Sequence, residues 1–221
     1  MEQQALDRIF LIDKPLRWTS FDVVRKLRGI LKIKKIGHAG TLDPLATGLL
    51  ILCTGKMTKQ IDTFQAQEKE YTGKLVLGQT TPSYDLETAP TPPQDISGVT
   101  EQMIMKVTSQ FTGSISQIPP LHSAIKVDGK RAYKLARAGS DAKLKAREVT
   151  ISAFEITHID LPEVSFRVVC SKGTYIRSLA HDVGQALGVG AYLSELCRIR
   201  IGDFLLKDAQ TLEEIVNENL S

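Results

Sequence analysis

The sequence predicts an α+β fold, with a mixed, mostly antiparallel central sheet and flanking helices and loops. Strand-like and helix-like segments follow one another without a regular βαβ alternation, which is typical of this class. The chain has 221 residues, of which 42% are hydrophobic. A chain of this length and composition can bury a sizeable core as one domain, or as one domain with an insertion.

The first elements are a strand and a helix. Residues 9–12 are apolar, and Pro15 cannot continue a β-ladder, so a short strand is expected to end in a turn at residues 13–15. Thr19 or Ser20 can cap a helix. Apolar residues then recur at the three- and four-residue spacing of an amphipathic helix: Phe21, Val24, Leu27 and Leu31.

A loop and a strand of uncertain type follow. Residues 37–47 are rich in Gly and Thr and predict a loop. Residues 49–53 are apolar throughout, and periodicity fits both a buried strand and the start of a helix. Residues 69–77 alternate in part and predict a strand, which leads into a Pro-rich connection over residues 80–98.

The second half begins with an amphipathic helix over residues 99–111. Thr100 is its expected cap, and Gly113 marks its end. Its expected buried face consists of Val99, Met103, Val107 and Phe111. The remaining predicted elements are strands at 123–127, 147–159, 164–171 and 197–204 and helices at 132–138, 176–187 and 212–219.

Several classes of protein are excluded by composition. The longest uncharged apolar stretch, residues 44–55, is far shorter than the roughly 20 residues that a membrane-spanning helix needs. The N-terminus lacks the features of a secretory signal, so we expect a cytoplasmic protein. Cys53, Cys170 and Cys197 are odd in number and widely spaced, which predicts buried, reduced thiols.

Charge is distributed unevenly along the chain. Residues 23–42 contain six basic residues and no acid, and residues 121–150 contain eight basic and three acidic residues. Residues 203–221, in contrast, contain five acids and one Lys. Two basic segments are typical of a surface that binds a polyanion, but they equally fit two solvated helix faces.

Two apparent motifs fail on inspection. Gly55-Lys56 lacks the preceding Gly and the following Ser or Thr of a phosphate-binding loop. His181-Asp182 has no second ligand at a suitable helical spacing, so no metal site is expected.

One carboxylate remains as a candidate for chemistry. Asp43 lies in the segment GHAGTLDPLATGLL, residues 37–50, whose glycines, Pro and threonines favour a compact loop. An Asp beside a Pro can simply form a turn. Held on a loop beside rigid elements, it can also act as a nucleophile or a base.

This loop resembles the catalytic motif of the pseudouridine synthases, in the wording of the TruB branch, which modifies uridine 55 in the T loop of transfer RNA. Four further segments match that branch in the same order, so the resemblance covers about residues 9–204. They are LIDKP with WTS (residues 11–20), KEY (69–71), QIPPLHSAIK and its continuation (117–139), and SKGTYIRSL (171–179).

The resemblance implies roles for matched residues. Asp43 would be the catalytic carboxylate and Arg177 its ionic partner. Tyr71 would stack on the flipped uracil, Tyr175 and Leu196 would line the base pocket, and His38 would lie against RNA near the vacated stack. Other candidate RNA-binding residues in the matched motifs are Lys14, Asp85, Lys126 and Arg137.

The implied substrate is the T arm of transfer RNA, bound by a thumb-like insertion at about residues 117–148 of a single catalytic domain. The isomerisation involves no redox change or phosphoryl transfer, so neither a cofactor nor a metal is expected. We also expect a monomer that needs no protein partner and binds no membrane. The carboxylate could attack C1′, attack C6 of the base, or remove a sugar proton. The residues leave this choice open.

Two departures from the family pattern stand out. Pro82 replaces the first Asp of a Thr-Asp-Thr-x-Asp run, although Asp85 is retained. Many relatives also carry a C-terminal RNA-binding domain of the PUA type, and we expect none here. Two alternative functions stay open: a non-catalytic module that binds and folds transfer RNA, and a pseudouridine synthase that acts on other RNA.

Overall fold

A computed structural model describes residues 7–123, 125–127, 129–138 and 144–220. The chain divides into two compact units. Unit 1 contains the described residues up to Thr72 and those from Leu196 onward, and unit 2 is Gly73–Glu195. Elements are numbered below in chain order.

Unit 1 is built around a buried strand, β3. Its elements are β1 (Ile9–Lys14), α1 (Ser20–Leu31), β2 (Ile36–His38), β3 (Thr47–Thr54), a 3-10 helix (Gly55–Gln60), α2 (Ile61–Ala66), the start of β4 (Lys69–Leu77), the end of β10 (Ala191–Ile201), β11 (Phe204–Leu205), a second 3-10 helix (Leu206–Asp208) and α6 (Leu212–Leu220). Strands β1 and β2 are antiparallel to β3, β11 is antiparallel to β10, and β10 runs parallel to β3.

The uniform apolar character of β3 follows from burial on both faces. Leu50 and Leu52 pack into a core cluster with residues of α1 and α6. The alternate residues Leu49, Ile51 and Cys53 pack into a second cluster. Side chains point to opposite faces of a strand in turn, so a strand covered on both sides needs apolar residues at every position. Residues 49–53 are therefore a strand, the first of the two options left open by periodicity.

Helix α1 begins as predicted, but its buried face is rotated. Thr19 caps it, because the Thr19 side chain accepts from the Asp22 N–H and Asp22 in turn accepts from the Thr19 N–H. The buried apolar residues are Val23, Val24 and Leu27. Phe21 is 60% exposed, so the prediction that it belongs to the core face is wrong.

Unit 2 contains the remaining strands and helices. They are the rest of β4, α3 (Glu101–Ser109), β5 (Gly113–Gln117), β6 (Lys126–Val127), β7 (Lys130–Arg131), α4 (Ala132–Arg137), β8 (Arg147–Asp160), β9 (Glu163–Cys170), α5 (Ile176–Ala186) and the start of β10. Strands β5, β8 and β9 form an antiparallel series, and β6 and β7 form a separate antiparallel pair. The predicted α+β class with a mixed, mostly antiparallel sheet is confirmed.

Three predictions in the second half are corrected. Helix α3 is capped by Thr100 as predicted, yet it buries Ile104 and Thr108, while Met103 is 41% exposed. Gly113 does not merely end this helix but starts β5, whose short polar sequence gave no strand signal. The last long strand begins at Ala191, earlier than the predicted residue 197.

Two global findings bear on function. Across the described ranges, no helix is long and apolar enough to cross a membrane. All three cysteines are free, with Cys53 and Cys170 buried and Cys197 half-buried.

Candidate active site

The loop that carries Asp43 connects β2 to β3 and is anchored on both sides of the carboxylate. On one side, the Leu42 N–H donates to the Ser20 hydroxyl (2.9 Å), which donates back to the Leu42 carbonyl (3.2 Å). On the other side, the Pro44 carbonyl accepts from the Arg17 N–H (2.7 Å). Asp43 itself is half-buried. Arg17, just before α1, and Ser20, the first residue of α1, therefore fix the two neighbours of the candidate catalytic residue.

Lys14 places a buried cation beside this loop. Its ammonium is fully buried and donates to the carbonyls of Trp18 (2.6 Å) and Pro15 (2.9 Å), with a longer contact to Pro44 (3.5 Å). Burial lowers the pKa of Lys14 to about 8, although the nearby Asp43 carboxylate opposes the shift by favouring the charged form. The structure thus brings together two predicted residues, Asp43 and Lys14, whose opposite charges interact.

Arg198, on β10, also contacts this loop, and it was not identified from the sequence. Its side chain is buried, and its guanidinium donates to the carbonyl of Leu49 (2.8 Å) and, at 3.4 Å each, to those of Gly40 and Thr41. Gly48 pairs with Arg198 across β3 and β10. The available signal was the alternation of basic and apolar residues in the last predicted strand, where Arg198 and Arg200 are both charged.

Tyr71 and His38 lie in two other strands of unit 1, β4 and β2. Tyr71 is buried in β4, one residue after Glu70, whose carboxylate accepts from Arg200 (2.7 Å). His38 ends β2, and burial lowers its pKa, so the ring is neutral at pH 7. Leu196 is half-buried in β10, and its carbonyl accepts from the Thr47 hydroxyl (3.5 Å).

Arg177 and Asp85 come together within unit 2. Arg177 lies in the first turn of α5, and its Nε is 3.6 Å from the Asp85 carboxylate, with both side chains buried. Its other guanidinium nitrogens donate to the carbonyls of Ser83 (3.1 Å) and His122 (3.0 Å). These contacts fix the orientation of the guanidinium. Its predicted pairing with Asp43 stays a prediction.

Tyr175 is positioned at the start of α5 by a side-chain amide. The Tyr175 N–H donates to the Gln117 side chain (2.8 Å), which donates back to the Tyr175 carbonyl (3.1 Å). The Arg147 guanidinium lies 4.8 Å from the centre of the Tyr175 ring. Gln117 at the end of β5 was not identified from the sequence as part of this arrangement.

The thumb-like segment is described in part. It contains the β6–β7 pair and α4, joined by hydrogen bonds from the Ala132 N–H to Ile125 (2.7 Å) and from the Tyr133 N–H to Ser123 (3.0 Å). Lys126 and Arg137 lie in β6 and α4, but their side chains are outside the described parts, as are residues 124, 128 and 139–143. Their RNA-binding roles stay predictions.

His181 has an aromatic partner. Its ring stacks on Tyr84 with centroids 3.9 Å apart, and burial lowers its pKa. Within the described part of the chain, no three His, Cys, Asp or Glu side chains cluster as a metal ion would require.

Comparison with known sequences identifies the family. Residues 28–176 match the N-terminal domain of the TruB family pseudouridylate synthases, and residues 177–220 match the C-terminal domain of tRNA pseudouridylate synthase B. A protein of Flavobacterium johnsoniae named tRNA pseudouridine synthase B is 53% identical, over 94% of both chains. One of the same name from Phocaeicola vulgatus is 50% identical, over 95% of this chain and 97% of that protein.

Two solved structures contain chains that are similar to this one. The chain is similar to one in an H/ACA RNP bound to a substrate RNA containing 2′-deoxyuridine, with a TM-score of 0.73, 30% identity and 98% of this chain covered. It is also similar to one in a Cbf5-Nop10-Gar1 complex, with a TM-score of 0.73, 33% identity and 95% of this chain covered. It spans 54% and 53% of those chains, about half their length. From its family matches and from relatives that align along nearly their whole length, the chain belongs to the TruB family of pseudouridylate synthases.

Proposed function

We propose that this protein converts uridine 55 in the T loop of transfer RNA to pseudouridine. The observation that carries the proposal is the anchored Asp43 loop, in a chain 50–53% identical to proteins named tRNA pseudouridine synthase B. The sequence identity to the chains in the H/ACA RNP and in the Cbf5-Nop10-Gar1 complex is lower, at 30–33%. Transfer RNA is therefore the favoured substrate over other RNA.

The reaction is an isomerisation within one nucleotide. The N1–C1′ bond breaks, the uracil rotates, and a C5–C1′ bond forms, while C5 loses a proton and N1 gains one. No electrons are gained or lost overall, so the proposal includes no cofactor. Asp43 is proposed as the catalytic carboxylate, either as a nucleophile at C1′ or C6 or as a base toward the sugar.

The neighbouring side chains are proposed to hold an extruded base. A uridine in a folded T loop must leave its stack before any group can reach the glycosidic bond. Tyr71 offers an aromatic face that offsets the lost stacking by roughly 1 to 3 kcal/mol. Tyr175 and Leu196 are proposed to line the base pocket, and neutral His38 to lie against RNA where the base has left.

Arg177 is proposed as the second catalytic residue, with the role of keeping Asp43 ionised. Support comes from its buried, fully oriented guanidinium and from the matched family motif. Asp85 is proposed to act with it, because the carboxylate fixes the guanidinium on one side. Lys14 is proposed to stabilise the negative charge of Asp43 from within unit 1.

RNA binding is proposed to rest on two basic segments. One is the thumb-like insertion at about residues 117–148, with Lys126 and Arg137, and the other is the α1 segment at residues 23–42. Both would contact phosphates of the T arm. We propose that the protein acts as a monomer in the cytoplasm, without a protein partner.

Tritium release from a transfer RNA transcript labelled at C5 of uridine tests the proposal. Release should require wild-type protein and uridine at position 55, and Asp43→Asn should abolish it while the affinity for RNA stays within a few-fold. Release from a ribosomal fragment but not from transfer RNA would point to another RNA substrate. Binding without any release by the wild type would point to a non-catalytic RNA-folding module.

A further inference from the structure

Helix α1 presents an aromatic side chain to solvent at the end nearest the catalytic loop. Phe21 is 60% exposed, although the helix buries other apolar residues. Leu16, in the preceding turn, is 52% exposed. A single exposed apolar residue needs no special explanation. Phe21, however, lies close to the Asp43 loop and in line with basic residues of the helix, and these two observations indicate a function.

The segment before Phe21 is bonded to both chain neighbours of Asp43. Ser20 exchanges hydrogen bonds with Leu42, and the Arg17 N–H donates to the Pro44 carbonyl. Phe21 follows Ser20 directly. A nucleotide strand that brings its target uridine to Asp43 must therefore pass close to the start of α1.

Basic residues continue along the same face of the helix. Arg25, Arg28 and Lys32 follow Phe21 at intervals of four, seven and eleven residues. The helical repeat places Phe21, Arg25 and Arg28 on one side, and Lys32 is the residue in left-handed conformation that ends the helix. All three are exposed, and Arg25 also pairs with Asp22 at 3.0 Å. At the helical rise the four residues, here called the α1 stripe, extend over about 16 Å. The stripe is aromatic at the end near Asp43 and cationic away from it.

We propose that Phe21 is a stacking platform for an unpaired base of the substrate RNA next to the target uridine, and that Arg28 and Lys32 hold the phosphates of that strand. This inference rests on the proposed function. An aromatic face with cations along one line is the arrangement that binds single-stranded nucleic acid, since stacking accepts any base and the cations follow the backbone. The proposal places unpaired nucleotides of the T loop, rather than the duplex of the T arm, at the start of α1.

The test compares three variants at position 21 with a matched control. Phe21→Ala and Phe21→Leu remove the aromatic face, Phe21→Trp keeps it, and Met105→Ala truncates another exposed apolar side chain, 52% exposed on α3. T-arm hairpins carry 2-aminopurine at loop positions flanking uridine 55, so that stacking quenches the fluorescence. Kd and single-turnover kcat and KM are measured in parallel.

Phe21→Ala and Phe21→Leu should raise Kd and KM roughly 5- to 150-fold, the range expected for one lost stacking contact, with kcat unchanged. Quenching at one loop position should be lost, and Phe21→Trp should restore both signals. Binding by Phe21→Leu equal to that of the wild type would overturn the proposal, as would equal effects of Phe21→Ala and Met105→Ala. The Leu variant preserves apolar area, so it remains informative if the Ala variant folds poorly.

The salt dependence of binding tests the basic residues of the α1 stripe separately. Arg28→Gln and Lys32→Gln should each reduce the slope of log Kd against log salt by about 0.7, the value for one phosphate contact with a single strand. An unchanged slope would remove these residues from the site. A wild type that binds and quenches but releases no tritium would refute the proposed function while leaving the stacking surface intact, so the two failures are distinguishable.

Discussion

Lys14 shows how one buried charge can act on a neighbouring carboxylate, here that of Asp43. Its ammonium is held by backbone carbonyls at the end of β1, where desolvation lowers its pKa to about 8. At pH 7 it is still protonated and faces Asp43 with a positive charge. The cost of burying this cation is offset by its hydrogen bonds and by the opposite charge.

This arrangement predicts an alkaline limit on activity. As pH rises through about 8, Lys14 loses its proton and Asp43 loses a stabilising charge, so single-turnover kcat should fall. Lys14→Met should lower kcat at pH 7 by about 10-fold or more and remove the fall between pH 7.5 and pH 9. Rates measured across that range check it. The control is Lys74→Met, because the half-buried Lys74 forms ion pairs with Glu163 and Glu195 of unit 2, whereas Asp43 belongs to unit 1. A Lys14→Met enzyme with the wild-type alkaline profile would contradict the assignment.

At the scale of elements, the Asp43 loop is held by a strand that is distant in sequence. Arg198 in β10 donates to three carbonyls between Gly40 and Leu49. The close approach of β3 and β10 requires Gly48, which has a φ of 98° and whose added Cβ would lie 2.4 Å from the Arg198 carbonyl oxygen. The loop geometry is therefore determined by packing between β3 and β10.

Substitution of Gly48 should test this packing. Gly48→Ala combines a left-handed backbone with a clash against main-chain atoms, and we expect a loss of about 2 to 4 kcal/mol in the free energy of unfolding. Gly29→Ala in α1 is the matched control, because nothing lies within 4 Å of its added Cβ. That control should gain about 0.5 to 1 kcal/mol from helix propensity. Urea denaturation of both variants measures the difference, and equal stabilities would refute the packing argument.

Helix α5 contains a half-buried acid, Asp182, whose charged form is destabilised by desolvation. Desolvation raises the pKa of Asp182 to about 6, so the folded protein keeps this proton to a higher pH than the unfolded chain does. Between pH 4 and pH 6 the unfolded chain has already lost the proton. The free energy of unfolding therefore falls as pH rises through this window, by about 1 to 2 kcal/mol from this group, because solvent screens a half-buried carboxylate.

Asp182→Asn should remove that dependence. The variant should be more stable than the wild type at pH 7, by about 1 to 2 kcal/mol, and the difference should shrink toward pH 4. Thermal denaturation from pH 4 to pH 7 measures it, with Asp203→Asn at an exposed turn as the control. A wild-type stability that rises through this window in step with the Asn variant would show that Asp182 is not the cause.

At the scale of the whole molecule, charge is segregated along the chain although the net charge is only +3. The basic α1 segment and the basic thumb-like segment belong to different units, and residues 203–221 carry an excess of acidic over basic residues. Positive segments of this kind attract RNA phosphates, and counterion release makes such binding sensitive to salt.

The proposed restriction of recognition to the T arm can be measured directly. An isolated T-arm hairpin should be modified with a kcat/KM within about 10-fold of that for full-length transfer RNA, because both basic segments would contact the arm itself. Both substrates should lose affinity steeply as salt rises. A large loss of kcat/KM on deletion of the acceptor stem would show that contacts outside the T arm matter.

Local sequence determined the elements whose signals are local. The Thr19 cap and apolar spacing predicted α1, partial alternation predicted β4 with its observed bounds, and the Asp43 loop carried the family resemblance. Tertiary structure decided what depends on distant partners. It made β3 a strand by covering both faces, exposed Phe21, placed Arg198 under the loop and paired Arg177 with Asp85. Periodicity and capping act within a few residues, whereas burial and ion pairing depend on which distant segments the fold brings together.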